Sequence, residues 1–358
     1  MSSTLLVVNL AIAIAIIIVG IVLLKLNPAI SMVIASLYMG VSCGFTWVNT
    51  ADIITTGFGD MMMNIGLPIG FGVIMGELMS KTGAAQMIAE TIVGVFKKEK
   101  AIFAVGLAGF ILSIPVFFDV TFVILIPIGV AIAKQIHKPI AYITGTLAAG
   151  AAVSQSLVPP TPNPLAAADM FGFNMGTMMI SGLIIGFITL VATIFVYQKL
   201  LDKTNFWNSE RDVNHDSTVT AQLSEVAGEE ISSAAEENIK ERPGFIFSML
   251  PIIVPVICIL AGNLGEIVYG EELSQIFVFI SNKLIAILLG TIAAYLMGYK
   301  YLGKKGVDEC ANDALKTAGI VLLVTGAGGS FGAVIKETDI GNHLIEALRI
   351  DTNNVVIV

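Results

Sequence analysis

The sequence predicts an all-α polytopic membrane protein, an inverted-topology repeat with broken helices and re-entrant hairpins. Its 358 residues are 56% hydrophobic and only 13% charged, whereas soluble chains carry about 25% charged residues. The apolar residues come in long runs, and runs of about 18 or more are typical of membrane spans. One globular core cannot bury so many apolar residues, so a soluble fold is excluded.

Charge and composition exclude several functions. The net charge of −8 leaves no basic patch for nucleic acid. The three cysteines lie far apart without a CxxC motif, which argues against a disulfide framework or a zinc site. The three histidines lie outside the apolar runs, so we expect no buried histidine metal site. We also expect no cofactor.

The first spans follow from hydropathy and length. The residues before the first apolar run carry no positive charge, and no cleavage site follows it, so we expect a retained helix and not a signal peptide. A glycine-rich span and an amphipathic stretch precede a lysine cluster at 97–100. The expected segments are Leu5 to Leu24, Pro28 to about Val48, Ile65 to Met79 and the amphipathic Thr82 to Phe96.

Two long apolar stretches follow, and helix breakers interrupt both. Ala101 to Ile136 is broken near Pro115, and Ile140 to Tyr197 is broken by the proline-rich segment 158–164. Proline cannot continue a helix. Each stretch therefore predicts a hairpin that leaves one side of the membrane and returns to it.

The second half starts after the one long hydrophilic segment. Gln198 to Arg242 holds ten acidic and five basic residues, which predicts a mobile loop or surface helix. Beyond it we expect a span at Phe245 to Ala261, an acidic loop (Glu266, Glu271, Glu272), a span at Ile276 to Tyr299 and a glycine-rich span around Ile320 to Ile335. The predicted organisation is an N-terminal helix (1–27), a first repeat with two hairpins (28–197), a cytoplasmic loop (198–243) and the start of a second repeat (244–358).

Basic residues set the expected orientation. When the hairpins are placed by their charges, all but three of the 19 lysines and arginines fall on one face, which the positive-inside rule makes cytoplasmic. The exceptions are Lys283, Lys336 and Arg349. The N-terminus is then predicted outside.

A weak repeat occurs at an offset of about 256 residues along the chain. Gly76 to Thr82 matches Gly332 to Thr338, and Gly70 and Gly72 fall on Gly326 and Gly328. The matched spans are expected to cross in opposite directions, as in transporters with a midplane site between inverted repeats. The counterparts of both hairpins would follow residue 357, so we expect the chain to lack about 80–100 residues of the full repeat.

Asp119 is the first candidate for function. It is the only acidic residue between Glu99 and Asp169, and a charge at membrane depth costs about 2.5–3.5 kcal/mol on insertion scales. A carboxyl group there can carry a proton, bind a cation or accept a substrate hydroxyl. The alternative is a capping role for a half-helix starting at Val120.

The second candidate is the segment from Ser154 to Pro164. Asn163 suits a helix N-cap and Pro164 a first helical residue, so a new helix is expected from Leu165, with its positive end at the break. Such an end attracts carboxylates, and Ser154, Gln155, Thr161 and Asn163 offer hydrogen bonds to hydroxyls. The alternative is an ordinary extracellular proline loop.

The third candidate is the glycine-rich segment Thr325 to Gly332. It includes Gly328, Gly329 and Ser330. An unwound stretch would offer its backbone to a substrate or an ion. The alternative is close helix packing.

In these three motifs the sequence resembles the gluconate permease family, the gluconate:proton symporters of the ion-transporter superfamily. The motifs are Pro115 to Val120 with Ile126-Pro127, Val158 to Pro164 before an alanine run, and Thr325 to Gly332. The resemblance implies proton-coupled uptake of sugar acids across the bacterial inner membrane, paired re-entrant hairpins and a homodimer. The family's proline motif usually reads PPHPGP, and here Thr161 and Asn163 replace its histidine and glycine.

The combined interpretation is a secondary active transporter that imports a small organic anion, such as gluconate or a related sugar acid, with protons. Asp119 is the expected proton-coupling residue. A sodium-coupled dicarboxylate or citrate carrier of similar architecture is the alternative. A channel is less favoured because no filter motif appears, and an enzyme because no nucleophile, base and metal set appears.

Overall fold

The computed structural model describes residues 3–203 and 242–340, and within these ranges the chain forms helices and turns without a strand. Thirteen α-helices occur there. They are α1 Ser3–Ile18, α2 Pro28–Ser42, α3 Trp47–Met61, α4 Leu67–Lys81, α5 Ala84–Val95, α6 Ala101–Leu112, α7 Phe118–Ile136, α8 Ile140–Leu157, α9 Pro162–Phe171, α10 Met175–Lys203, α11 Phe245–Ser281, α12 Lys283–Tyr301 and α13 Gly303–Glu337.

Two of these helices continue through a π-helical turn. The turn Val19–Leu23 extends α1, and the turn Met62–Gly66 joins α3 to α4. The second turn ends two residues before Pro68, which has no N–H for the regular helical hydrogen bond. The result is one continuous helical segment from Trp47 to Lys81, here called the rod 47–81.

Six helices in the described part of the chain are long and apolar enough to cross a membrane. They are Leu5–Leu23, Trp47–Lys81, Phe118–Ile136, Met175–Lys203, Lys283–Tyr301 and Gly303–Glu337. The predicted all-α polytopic membrane class is confirmed. The expected orientation, the homodimer and most of the hydrophilic segment, which lies outside the described residues, stay predictions.

Several expected boundaries are wrong. The second span ends at Ser42 and not near Val48, because Gly44 takes a positive φ of 95° and the Thr46 side chain caps α3. The third span is part of the longer rod 47–81. Helix α10 continues to Lys203, so the first residues of the expected hydrophilic segment are helical.

The expected acidic loop at 266–272 is also wrong, since α11 runs unbroken from Phe245 to Ser281. Pro251 and Pro255 lie nearer the start of this helix, no proline occurs at 262–281, and glutamate is a good helix former. The break comes at Asn282, whose side-chain oxygen accepts a hydrogen bond from the Leu284 N–H at 2.9 Å and starts α12.

The chain forms two compact units. One holds residues 1–67 and 319–358, and the other holds 68–318. In the described part of the first unit, α1, α2, α3 and the end of α13 pack around a core that includes Leu6, Met39, Ile54 and Val334.

The second unit is built around α6 and α8, which pack closely at glycines. A Cβ on Gly150 would collide with the Gly106 carbonyl, and one on Gly109 would lie 3.0 Å from the Leu147 carbonyl oxygen. Small residues at such crossings let membrane helices approach to backbone contact. The helices α5, α7 and α10 pack around this pair, and α11 packs on α12.

The predicted repeat has one local parallel in the structure. Helix α4 ends at Lys81 and α13 ends at Glu337, and the threonine after each helix donates its hydroxyl to a carbonyl of the last turn. The two helix ends therefore fall at matching positions. The inverted repeat itself stays a prediction.

Candidate functional site

The first helix break lies between α6 and α7. Helix α6 ends at Leu112, Ser113 follows as its C-cap, and α7 begins at Phe118. The expected helix start at Val120 was two residues late, so Asp119 lies inside the first turn of α7 and not at its cap. Its side chain is exposed with respect to the described residues.

Gln155 of α8 supplies the cap that α7 lacks in its own sequence. Its side-chain oxygen accepts a hydrogen bond from the backbone N–H of Phe118 at 2.7 Å. A helix start leaves several N–H groups without intrahelical partners, and this bond satisfies one of them. It also joins the two breaks that the sequence shows separately.

The second break lies between α8 and α9. Thr161 is the N-cap of α9, and the helix begins at Pro162, so the predicted cap Asn163 is the second helical residue. Because Pro162 and Pro164 have no N–H, only Asn163 offers one in the first three positions. The α9 start therefore presents fewer donors to an anion than the sequence led us to expect.

The Thr161 side chain closes the end of α8. It is buried, with 5% of its surface exposed, and its hydroxyl lies 2.9 Å from the Gln155 carbonyl oxygen and 2.8 Å from that of Val158. The hydroxyl proton is directed to these carbonyls. Only the oxygen lone pairs remain for another partner.

Helix α4 forms the third wall of this region. A Cβ on Gly76 would lie 2.6 Å from the Pro115 carbonyl oxygen, and one on Gly72 would lie 3.9 Å from that of Pro160. The two glycines are four residues apart and lie on one helix face. On α12, the Thr291 hydroxyl donates to the Phe71 carbonyl at 3.1 Å and so holds α4 in place.

The three walls enclose a small cavity, here called the junction cavity. Its lining residues are Ile69, Gly72, Val73, Ile114, Pro115, Val116, Phe117, Pro160, Thr161 and Pro162. It has about 10 Å³ for the centre of a water molecule, which is room for about one water. A sugar acid requires the walls to move apart.

Buried hydroxyls without partners occur in the elements around the junction cavity. Ser113, Thr121 and Ser154 are fully buried, and their oxygens make no hydrogen bond with the described residues. A buried polar group without a partner costs about 1–3 kcal/mol. These hydroxyls belong to the end of α6, the first turns of α7 and the last turn of α8, so each lies beside a break.

The glycine-rich segment from Thr325 lies in the other unit and is a regular part of α13. An unwound stretch is therefore wrong for this structure, and close packing is observed. A Cβ on Gly329 would lie 2.7 Å from the Met61 Cβ, and the Ser330 hydroxyl donates to the Ile54 carbonyl at 2.8 Å. Gly328 faces Met32 less closely, at 3.9 Å.

The predicted site residues thus fall into two groups. The first holds Asp119, Ser154, Gln155, Thr161 and Asn163, around the two breaks of the second unit. The second holds Thr325, Gly328, Gly329 and Ser330 in the first unit.

Sequence reasoning missed the role of Gly72 and Gly76, although their spacing of four residues in a glycine-rich span was visible. It also missed the ion pair between Asp169 and Lys283, at 3.1 Å. The sequence did contain one sign of this ion pair, because Lys283 is one of the three basic residues that do not follow the positive-inside pattern.

Long apolar helices, two paired breaks and a glycine face against both are typical of a multi-pass membrane permease. Comparison with protein families identifies which kind of permease this is. The family model described as GntP family permease matches residues 5–358. The chain belongs to the GntP permease family, which is a family of transporters and not of enzymes.

Individual relatives agree with this assignment. The chain is 32% identical over 354 residues to an uncharacterized permease of Haemophilus influenzae, covering 96% of this chain and 70% of the relative. It is 30% identical to a gluconate permease of Bacillus licheniformis, covering 91% and 72% of the two chains. It is 24% identical to the Gnt-II system L-idonate transporter of Escherichia coli, covering 89% and 70%.

Proposed function

We propose that this protein imports a small organic anion, a sugar acid such as gluconate or a close relative, by proton symport across the bacterial inner membrane. The observation that carries the proposal is the Gln155–Phe118 hydrogen bond, which ties the last turn of α8 to the first turn of α7, the turn that holds Asp119. Relatives named as gluconate and L-idonate transporters support the substrate class.

The helix starts suit a carboxylate. The N-terminal ends of α7 and α9 each carry a partial positive charge of about half an elementary charge. The neutral hydroxyls of Ser154 and Thr161 suit the hydroxyl groups of a sugar acid, and the exposed amide of Asn163 can donate to the carboxylate. A phosphorylated sugar, with its larger negative charge, fits this set of neutral groups less well.

In this proposal, Asp119 couples the binding of a proton to the binding of the anion. An ionised carboxylate on the first turn of α7 already occupies the positive end of that helix. A second negative charge brought to the adjacent α9 start would be repelled at low dielectric. Protonation of Asp119 removes the repulsion, so we expect the proton to bind before the substrate.

Uptake into proteoliposomes tests this proposal. A pH gradient, acidic outside, should drive accumulation of labelled gluconate or another sugar acid, and a sodium gradient alone should not. Accumulation driven by sodium, with citrate or a dicarboxylate preferred, would support the sodium-coupled alternative. Failure of every sugar acid in a panel would overturn the substrate class.

The variant Asp119→Asn tests the coupling residue. It should abolish accumulation driven by a pH gradient, while exchange of internal for external substrate survives, because the neutral amide mimics the protonated acid. Asp60→Asn is a matched control, since Asp60 is also an exposed carboxyl group on an apolar helix. Unchanged accumulation in Asp119→Asn would remove Asp119 from the mechanism.

A further inference from the structure

The short helix α9 has one end at the junction cavity and the other end in an ion pair. Its first residue, Pro162, lines the cavity, and Asp169 lies in its last turn. The Lys283 ammonium group donates to the Asp169 carboxylate at 3.1 Å. Ten helical residues span about 15 Å, so α9 is a short rod between these two points.

Both residues of the ion pair lie at the ends of helices. Helix α9 stops at Gly172, which takes a positive φ of 67°, and the Phe173 N–H returns to the Ala168 carbonyl at 2.8 Å. Helix α12 starts at Lys283, directly after its cap Asn282. The pair therefore connects the C-terminal end of α9 to the N-terminal end of α12.

Each of the two charges has the same sign as the partial charge at the helix end where it lies. Asp169 is a negative charge at the negative end of α9, and Lys283 is a positive charge at the positive end of α12. Neither residue stabilises the helix that carries it. Their pairing across the two helices offsets both mismatches.

The pair is also shielded from solvent. Lys283 is 25% exposed and Asp169 is 21% exposed, whereas the Lys316–Asp313 pair within α13 is 78% and 56% exposed. Shielded pairs are screened less by salt than exposed pairs. Lys283 is one of three basic residues that fall outside the predicted cytoplasmic face, and the carboxylate of Asp169 accounts for its position.

We propose that the Asp169–Lys283 ion pair is a latch that keeps α9 closed over the junction cavity, and that both are positioning residues for the α9 end of the anion site. This role depends on the proposed function in one respect only, which is the identity of the anion. Because the closed cavity admits about one water molecule, substrate entry requires one wall to move. Helix α9 can move as a unit, since it is bounded by the break at 158–161 and the turn at Gly172.

Cysteine labelling tests the latch without any substrate. The variant Val116→Cys, in a background without the three native cysteines, places a thiol in the cavity wall that the break between α6 and α7 forms, at a position that is 1% exposed. Asp169→Asn or Lys283→Gln should each raise its rate of maleimide labelling about fivefold, equivalent to about 1 kcal/mol. Asp313→Asn is the matched control and should not change the rate.

The double variant Asp169→Lys with Lys283→Asp decides the result. It restores the pair and places both charges at the favourable ends of their helices, so labelling should return to the parent rate or below it. Labelling as fast as in the single variants would overturn the latch, as would single variants labelled at the parent rate. If one single variant does not fold, the other decides by the same comparison with the parent and the double variant.

Uptake separates this proposal from the proposed function. The single variants should change the KM for the transported sugar acid more than the maximal rate, and the double variant should restore the KM. If no sugar acid is transported but labelling responds as described, the proposed function fails and the latch stands. If transport is normal and labelling is unchanged, the latch fails alone.

Discussion

Gln155 should stabilise the protein through the start of α7, and substituting it tests how the two breaks are joined. Gln155→Leu keeps most of the side-chain volume and removes the acceptor of the 2.7 Å hydrogen bond from Phe118. Loss of a helix cap costs about 0.5–2 kcal/mol, and a partly buried N–H without a partner costs about 1–3 kcal/mol. We therefore expect a loss of about 1–2 kcal/mol.

This loss should lower the melting temperature in detergent by roughly 2–8 °C, at about 2–4 °C per kcal/mol. Gln155→Glu should retain the stability, because a carboxylate also accepts the Phe118 N–H and is favoured at a helix start. It should weaken substrate binding, since it adds a negative charge beside the proposed anion site. Gln86→Leu is the control, because it removes an exposed hydrogen bond to Glu90. Equal melting temperatures for Gln155→Leu and the parent would refute the capping role.

Two matched glycine pairs give further predictions. Gly76→Ala should lower stability by about 1–3 kcal/mol, because its Cβ would meet the Pro115 carbonyl at 2.6 Å, while Gly70→Ala, with nothing within 4 Å, should be neutral in the same thermal assay. Gly57→Ala should be destabilising by a similar amount, because its Cβ would lie 2.5 Å from Ala333, whereas Gly59→Ala meets nothing within 4 Å. Equal melting temperatures within either pair would contradict the packing described for that unit.

The sequence predicts the elements of this fold well where one strong local signal decides. The prolines at 115 and 159–164 mark both breaks, because proline removes a helical hydrogen bond. A lone proline is a weaker signal, since Pro127 lies inside α7 and Pro251 and Pro255 lie inside α11. The signal is weaker for the rod 47–81. Its first half carries polar residues such as Asn49, Asp52 and Asp60, which lower the hydropathy without preventing a helix.

Contacts between distant residues could not be predicted from one sequence. The Gln155–Phe118 bond joins positions 37 residues apart, and the Lys283–Asp169 bond joins positions 114 apart. Gln155 has no local pattern that differs from an ordinary polar side chain, and the exception of Lys283 to the positive-inside pattern does not identify its partner. Composition and spacing identify which residues can act, and only the packing of α7, α8, α9 and α12 decides which of them meet.

The Gln155–Phe118 hydrogen bond between the two breaks is uncharged. This affects how the binding of a proton and the binding of an anion can be coupled. Gln155 caps α7 with an uncharged amide, so this cap does not cancel the partial positive charge of the helix start. Asp119 is then the only side chain of the first turn whose charge changes with protonation. When it is ionised, α7 already carries a full negative charge at its positive end, and an anion gains little there. When it is protonated, both helix starts are free to attract a carboxylate. We therefore expect an anion to bind more tightly once Asp119 is protonated, which is the order of binding that the proposed symport requires.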